Sequence, residues 1–337
     1  MKLVVFDTMR LGALVEDNTI IDLNYAYAAL LQSDDVARPY EYADARVPTN
    51  LLNFIEEGDL GLEAATKAID YVKSGYNRGP LEEHLTYKMS EVKLRAPLPS
   101  LGSRIAMAGA NFYDHSAKSY SMIRGENITE RDIRKLVDEG KNTPWGFWKQ
   151  SRNVVNPGES ITYPSRTDRL DYEVEVAAIF GKKGKDIPEE EAMDYIYGYT
   201  IVLDMSCRSG GTNDRGLFLG KNFDSSVPMG PVIVTADEVG DPHKLRIKLS
   251  VDGELRQDGT QEKMIRGYPY WISFLTRDLT FYPGDIICGG TCAGTAMDSS
   301  QRKDGVADPT LFLKTGQIIE SWVEKIGFMK NTIIAKE

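Results

Sequence analysis

A mixed, β-rich α+β protein is what the sequence predicts, on three observations. Strand signals dominate from Ile161 onward, few stretches carry helical period, and two prolines lie close together in Arg95-Ala96-Pro97-Leu98-Pro99. Proline disfavours helix at the residue before it, so that run suits a linker. The expected organisation is a small, mostly β N-terminal domain over 1–96 and a larger domain over 97–337.

The opening reads as short strands, LVVF, GALVE and TIIDL, separated by turn signals such as Glu16-Asp17-Asn18, followed by a helical stretch LEAATKAIDYVKS that ends near Gly75. After the linker, Arg104–Gly109 has the small residues of a close-packed strand. An insertion at about 116–146 follows, polar from about Tyr120 to Pro144. Within it Thr129-Glu130-Arg131-Asp132 has capping-box spacing, opens the run RDIRKLVDEG, and meets a stop at Gly140. A mobile cover is the expected role. Beyond Ile161 the strands are LDYEVEVAAIF, YTIVLDMS, GPVIV, KLRIKLSV, DIICGG, QIIESWVE and FMKNTII. Asp252-Gly253 is the dipeptide type I′ hairpins prefer, and the helices PEEEAMDYIYG and PYWISFLTRDL each carry Pro in the first turn.

Composition narrows the function. The 337 residues carry 40 Lys and Arg against 50 Asp and Glu, a net charge of −10. Such a field opposes a phosphate backbone, so nucleic acid is not an expected partner. The apolar N-terminal run breaks at Asp7 and nowhere do about eighteen apolar residues run together, so no membrane partner is expected and the reading is a soluble cytoplasmic protein. Three cysteines without paired C-x-x-C spacing are read as reduced thiols.

In Leu170–Val176 the strand period of two puts Asp171, Glu173 and Glu175 on one face and Leu170, Tyr172, Val174 and Val176 on the other. Like charges about 7 Å apart on a strand are cheapest in water or around a cation. A second apolar strand ends in Asp204, a further carboxylate able to meet the pair. Oxygen donors suit Mg²⁺, Mn²⁺ or Ca²⁺ rather than zinc. Lys149, after Phe147-Trp148, and Lys221, after Gly220, would hold an organic acid beside such an ion. Gly289–Thr295 has the glycines of an anion-binding nest, with a plain turn as the alternative. Among three histidines, His115 follows a strand and precedes the insertion, whereas His84 and His243 read as surface positions.

Nine segments in order, from the G-x-N-x-x-x-H run ending at His115 through Phe147-Trp148-Lys149, Leu170–Glu175, Leu203-Asp204-Met205, Gly220–Asp224, Gly253–Gln257, Pro283–Ile287 and Gly290–Gly294 to Ile326–Thr332, resemble the fumarylacetoacetate hydrolase family. The resemblance implies a β-sandwich roll, usually a homodimer, with Mg²⁺ or Mn²⁺ at Glu173, Glu175 and Asp204. It also implies a metal-chelated small oxo acid, Lys221 near the developing charge and His115 as the base that activates water. Around the substrate it implies Asn111, Tyr113, Lys149, Arg208 and Thr291. The expected activity is metal-dependent hydrolysis of a C–C bond in a 1,3-dicarbonyl or 2,4-dioxo acid of the acylpyruvate type, as in aromatic or sugar-acid catabolism. The alternatives are decarboxylation, enol/keto isomerisation on the same scaffold, or a catalytically silent relative. Short family members commonly place a glutamate three residues after the histidine; here that residue is Lys118. Glu126, nearest of the insertion's acids after the turn at Gly125, is therefore the expected partner of His115.

Overall fold

The computed structural model describes residues 1–208, 217–300, 302–303 and 306–336. Its centre is the antiparallel pair Val174–Phe180 and Ile196–Leu203, in register from Val174 opposite Leu203 to Ala178 opposite Tyr199. Every residue of both strands is buried. Strands covered on both faces are apolar at nearly every position, and Glu175 is the one charged residue in these two runs. Val174, Val176, Ala178 and Phe180 face one core, and Ala177 and Ile179 face a second.

The first core lies against a five-stranded sheet of Glu254–Thr260, Arg246–Val251, Ile318–Val323, Gly327–Ile334 and Ile161–Thr162, which contributes Ile247, Leu249, Ile319, Val323 and Met329. The second core lies under N-terminal helices, with Phe54, Ile55, Ala64 and Ala65 of Leu51–Lys73 packed among Leu3, Val5 and Ile233. The result is the mixed, sheet-rich α+β architecture the sequence predicts. The large sheet has twelve strands, and the N-terminal ones extend it: Lys2–Phe6 pairs antiparallel with Val227–Thr235. At Asp252-Gly253 both residues have positive φ, 51° and 81°, as a type I′ hairpin requires.

The N-terminal 96 residues hold more helix than strand, which corrects the mostly β expectation for that segment. Helices Leu23–Ser33, Pro39–Arg46 and Leu51–Lys73 are all present. Asp22 and Asn50 cap the first and third by accepting the N–H of Tyr25 and of Asn53. The third helix turns at Gly58 (φ 55°, ψ −134°), a conformation that glycine adopts without steric penalty. That interruption breaks the apolar period of the segment into pieces. Among the described residues no helix is long and apolar enough to cross a membrane.

Candidate active site

The ends of the two central strands bring the acids together. Asp204 follows the last residue of its strand and donates its backbone N–H to the Glu173 carbonyl at 2.9 Å. One carboxylate oxygen from each of Glu173, Glu175 and Asp204 lies within 4.8 Å of the others. All three side chains are buried. The expected single strand from Leu170 is interrupted at Tyr172 and Glu173, between Leu170–Asp171 and Val174–Phe180.

Buried carboxylates need counter-charges or hydrogen bonds. Lys221 Nζ donates to Glu173 Oε2 at 2.6 Å and to Asp204 Oδ2 at 2.5 Å. Lys149 Nζ donates to Asp204 Oδ1 at 2.5 Å and to the Met205 carbonyl at 3.0 Å. Arg208 bonds Glu173 through one NH₂ group and Asp171 through Nε at 3.1 Å. Four carboxylates thus face three cations. Glu175 is the acid left over: it accepts the backbone N–H of Gly290 at 2.9 Å, and among the described residues no cation pairs with it. Gly290 has φ 93° and a Cβ there would meet Asn111 Cβ at 3.1 Å, so glycine suits this approach.

The charges respond accordingly. Burial, with the charges of Asp204 and Glu173, pushes the Glu175 carboxyl well above the usual range. Burial would raise Glu173 too, but Lys221 and Arg208 outweigh it and hold that carboxyl well below the ordinary value. Burial would lower Lys221, yet Asp204 and Glu173 hold its ammonium above the ordinary value. Lys149, wholly enclosed, is pushed down by burial despite Asp204. Three converging oxygen donors, one short of positive charge, fit a hard divalent cation.

His115 lies near the start of the helix Tyr113–Arg124, which follows the strand Ile105–Gly109. Its Nδ1 lies 2.7 Å from Asp298 Oδ2, and Ser119 Oγ donates to Asp298 Oδ1 at 2.9 Å. Burial opposes a charged imidazole, but the Asp298 carboxylate outweighs it and raises the His115 pKa. His115, the three acids, Lys221, Arg208 and Thr291 share one pocket of about 230 Å³, whose remaining wall includes Ile123, Trp145, Phe147 and Met297.

Several expected residues stand elsewhere. Glu126 is exposed beyond Gly125, and the acid that meets His115 is Asp298 instead. Two other acids of the insertion are engaged as well: Asp132 closes a capping box with Thr129, and Glu130 accepts from Lys263 at 3.1 Å. Lys149 sits behind Asp204 with its side chain 0% exposed, so it braces an acid rather than reaching into the pocket. Asn111 is spent on the backbone, donating to the carbonyls of Arg266 and Gly289 and accepting the Arg266 N–H. Tyr113 lies under the Arg134 guanidinium, 3.9 Å from its ring centre, away from the pocket wall. Thr291 does line the pocket, with its hydroxyl donating to the Val174 carbonyl and accepting from Gln257.

Asp298 and Ser119 are absent from the sequence reading. A usable signal exists for the first: Thr295-x-x-Asp298 has helix-start spacing, and Thr295 Oγ1 does accept the Asp298 N–H.

Comparison with known proteins bears on this arrangement. Residues 104–334 match the family model described as fumarylacetoacetate (FAA) hydrolase C-terminal. Oxaloacetate tautomerase YisK of Bacillus subtilis (strain 168) is 31% identical over 98% of this chain and 97% of its own length. The mitochondrial oxaloacetate tautomerase fahd2 of Xenopus laevis is 29% identical over 99% of this chain and 90% of its own. Among solved structures, the fumarylacetoacetate hydrolase EaFAH from psychrophilic Exiguobacterium antarcticum superposes over 100% of both chains with a TM-score of 0.70 and 26% identity.

Proposed function

From the premise that this chain belongs to the fumarylacetoacetate hydrolase family, we propose that it is a divalent-metal-dependent enzyme interconverting the enol and keto forms of a small 2-oxo acid of the oxaloacetate kind. The observation that carries the reading is the His115–Asp298 pair lining the same pocket as Lys221 and the acid triad. Glu173, Glu175 and Asp204 would hold Mg²⁺ or Mn²⁺. The bound ion supplies a Lewis acid for the 2-oxo oxygen.

Ketonisation passes the proton of the enol oxygen to water and adds one at the neighbouring carbon from the His115 imidazolium, which regains a proton from water before the next turnover. Lys221 lies between Glu173 and Asp204 with its charge retained, able to stabilise negative oxygen as the enol deprotonates. Asp298 occupies His115 Nδ1, which leaves Nε2 as the nitrogen for the pocket. Its raised pKa keeps the imidazolium available to protonate carbon, and the neutral ring removes that proton in the reverse direction. Ile123, Trp145, Phe147 and Met297 make part of the wall apolar, which strengthens the interaction of Lys221 with developing charge.

Hydrolysis of a C–C bond becomes the second reading. One observation favours it: Asp298 gives His115 the acid partner that activation of water requires. The named tautomerases, similar over nearly the whole chain, favour the first. The test follows decay of oxaloacetate enol absorbance with Mn²⁺-loaded protein and with chelator. Metal-dependent acceleration that leaves oxaloacetate as the product is expected. Acylpyruvate cleavage with ¹⁸O from water in the acid product, and no enol decay, would replace this reading with hydrolysis.

A further inference from the structure

Asp171 shares the acidic face of Glu173 and Glu175 in sequence, yet it is neither in the triad nor on the pocket wall. It is fully buried. Its Oδ1 accepts the N–H of Tyr172 at 2.9 Å and of Ala296 at 2.7 Å. Its Oδ2 accepts the N–H of Met297 at 3.2 Å and Arg208 Nε at 3.1 Å. Ala296 and Met297 open the short helix Ala296–Ser299, which carries Asp298. Arg208 is the cation that also grips Glu173. One carboxylate therefore joins the mount of the His115 partner to the strand that leads into the acid triad.

Burying an acid among four donors is expensive unless each bond is kept, and here the four donors belong to three functional parts. Tyr172 leads to Glu173, Ala296 and Met297 to Asp298, and Arg208 to the pocket. Proton transfer to carbon demands that the imidazole and the bound oxo acid keep a fixed separation, and displacement by about 1 Å costs on the order of 10²-fold in rate. The triad itself retains its three ligands without Asp171.

We propose that Asp171 is a positioning residue that holds the His115–Asp298 pair in register with the metal-binding carboxylates. The proposal rests on the keto–enol reading only for its kinetic consequence. Its geometric consequence is independent of any substrate.

The test is Asp171→Asn, which is nearly isosteric but turns one acceptor oxygen into a donor facing either Met297 N–H and Arg208 Nε or the N–H groups of Tyr172 and Ala296. With ¹⁵N-labelled histidine the protein has three imidazoles to follow, those of His84, His115 and His243. The His115 signal, assigned by His115→Gln, is expected to shift or broaden while the other two stay. Turnover should fall about 10- to 100-fold, as loss of outer partners commonly does, with KM and calorimetric Mn²⁺ affinity changed less than about threefold. An unshifted His115 signal overturns the proposal, as does loss of Mn²⁺ affinity parallel to loss of turnover. If wild-type protein leaves oxaloacetate enol untouched, the function reading fails while the imidazole signal still decides the role of Asp171. Should Asp171→Asn not fold, Asp171→Glu keeps the charge but displaces the oxygens from the Ala296 and Met297 N–H groups, and an unmoved His115 signal there is equally decisive.

Discussion

Replacing Lys149 with methionine separates a brace from a substrate contact. The side chains of Lys149 and Asp204 are both 0% exposed, and the ammonium lies 2.5 Å from Oδ1. Removing one member of a buried pair commonly costs about 3–5 kcal/mol, because the other charge stays buried. Asp204 keeps Lys221 at 2.5 Å, which places the expectation at the lower end, about 3 kcal/mol. At roughly 2.1 cal/mol/K per residue, a chain of 337 residues has an unfolding entropy near 0.7 kcal/mol/K, so Tm should fall by about 4 °C. The measurement is calorimetry of metal-free Lys149→Met and wild type, repeated with saturating Mn²⁺. A divalent ion beside Asp204 replaces the missing positive charge, so the gap in Tm should narrow when metal is present. KM for the oxo acid should stay within about threefold, since the ammonium does not line the pocket. An unchanged Tm together with a KM raised tenfold or more would refute this reasoning and return Lys149 to the substrate.

Two further outcomes follow from the same charges. Glu175→Gln should weaken Mn²⁺ binding by about 10- to 100-fold in calorimetry, and wild-type affinity should decline as pH falls through the raised Glu175 pKa, because proton and cation compete for it. Unaltered affinity in the variant would remove Glu175 from the ligand set. The His115 pKa lies above the ordinary 6.5, so its ion pair with Asp298 stabilises the fold below the unfolded pKa and that contribution is lost as pH rises through the folded one. Ketonisation that uses the imidazolium should decline over the same rise, and Asp298→Asn should move the midpoint down; a midpoint indifferent to Asp298 would show that another group donates the proton.

How far the sequence reaches into this site depends on the range over which each residue acts. Glu173 and Glu175 are legible because a period of two is local, and Asp204 because an apolar strand ends on it. The large α+β frame is legible for the same reason, since the alternating runs that make strands are visible one at a time. The N-terminal helices are less so: Gly58 and Gly61 interrupt the period of Leu51–Lys73, and the alanines of Leu23–Ser33 carry little amphipathic contrast. As the partner of His115, Asp298 is out of reach for another reason. It stands 183 positions from His115, and nothing in either segment states that the helix after the Gly290–Gly294 turn packs beside the helix after Gly109. Proximity in sequence pointed to Glu126, but a carboxylate on an exposed turn gains nothing by meeting an imidazole, whereas one held at the start of a buried helix is already desolvated and aimed. Lys149 shows the converse. A lysine after two aromatic residues reads as a pocket cation, yet four neighbouring carboxylates need positive charge before any substrate arrives. The cations nearest them are consumed in neutralising the acids, and Glu175, the one acid they leave unmatched, is where an incoming metal ion gains most.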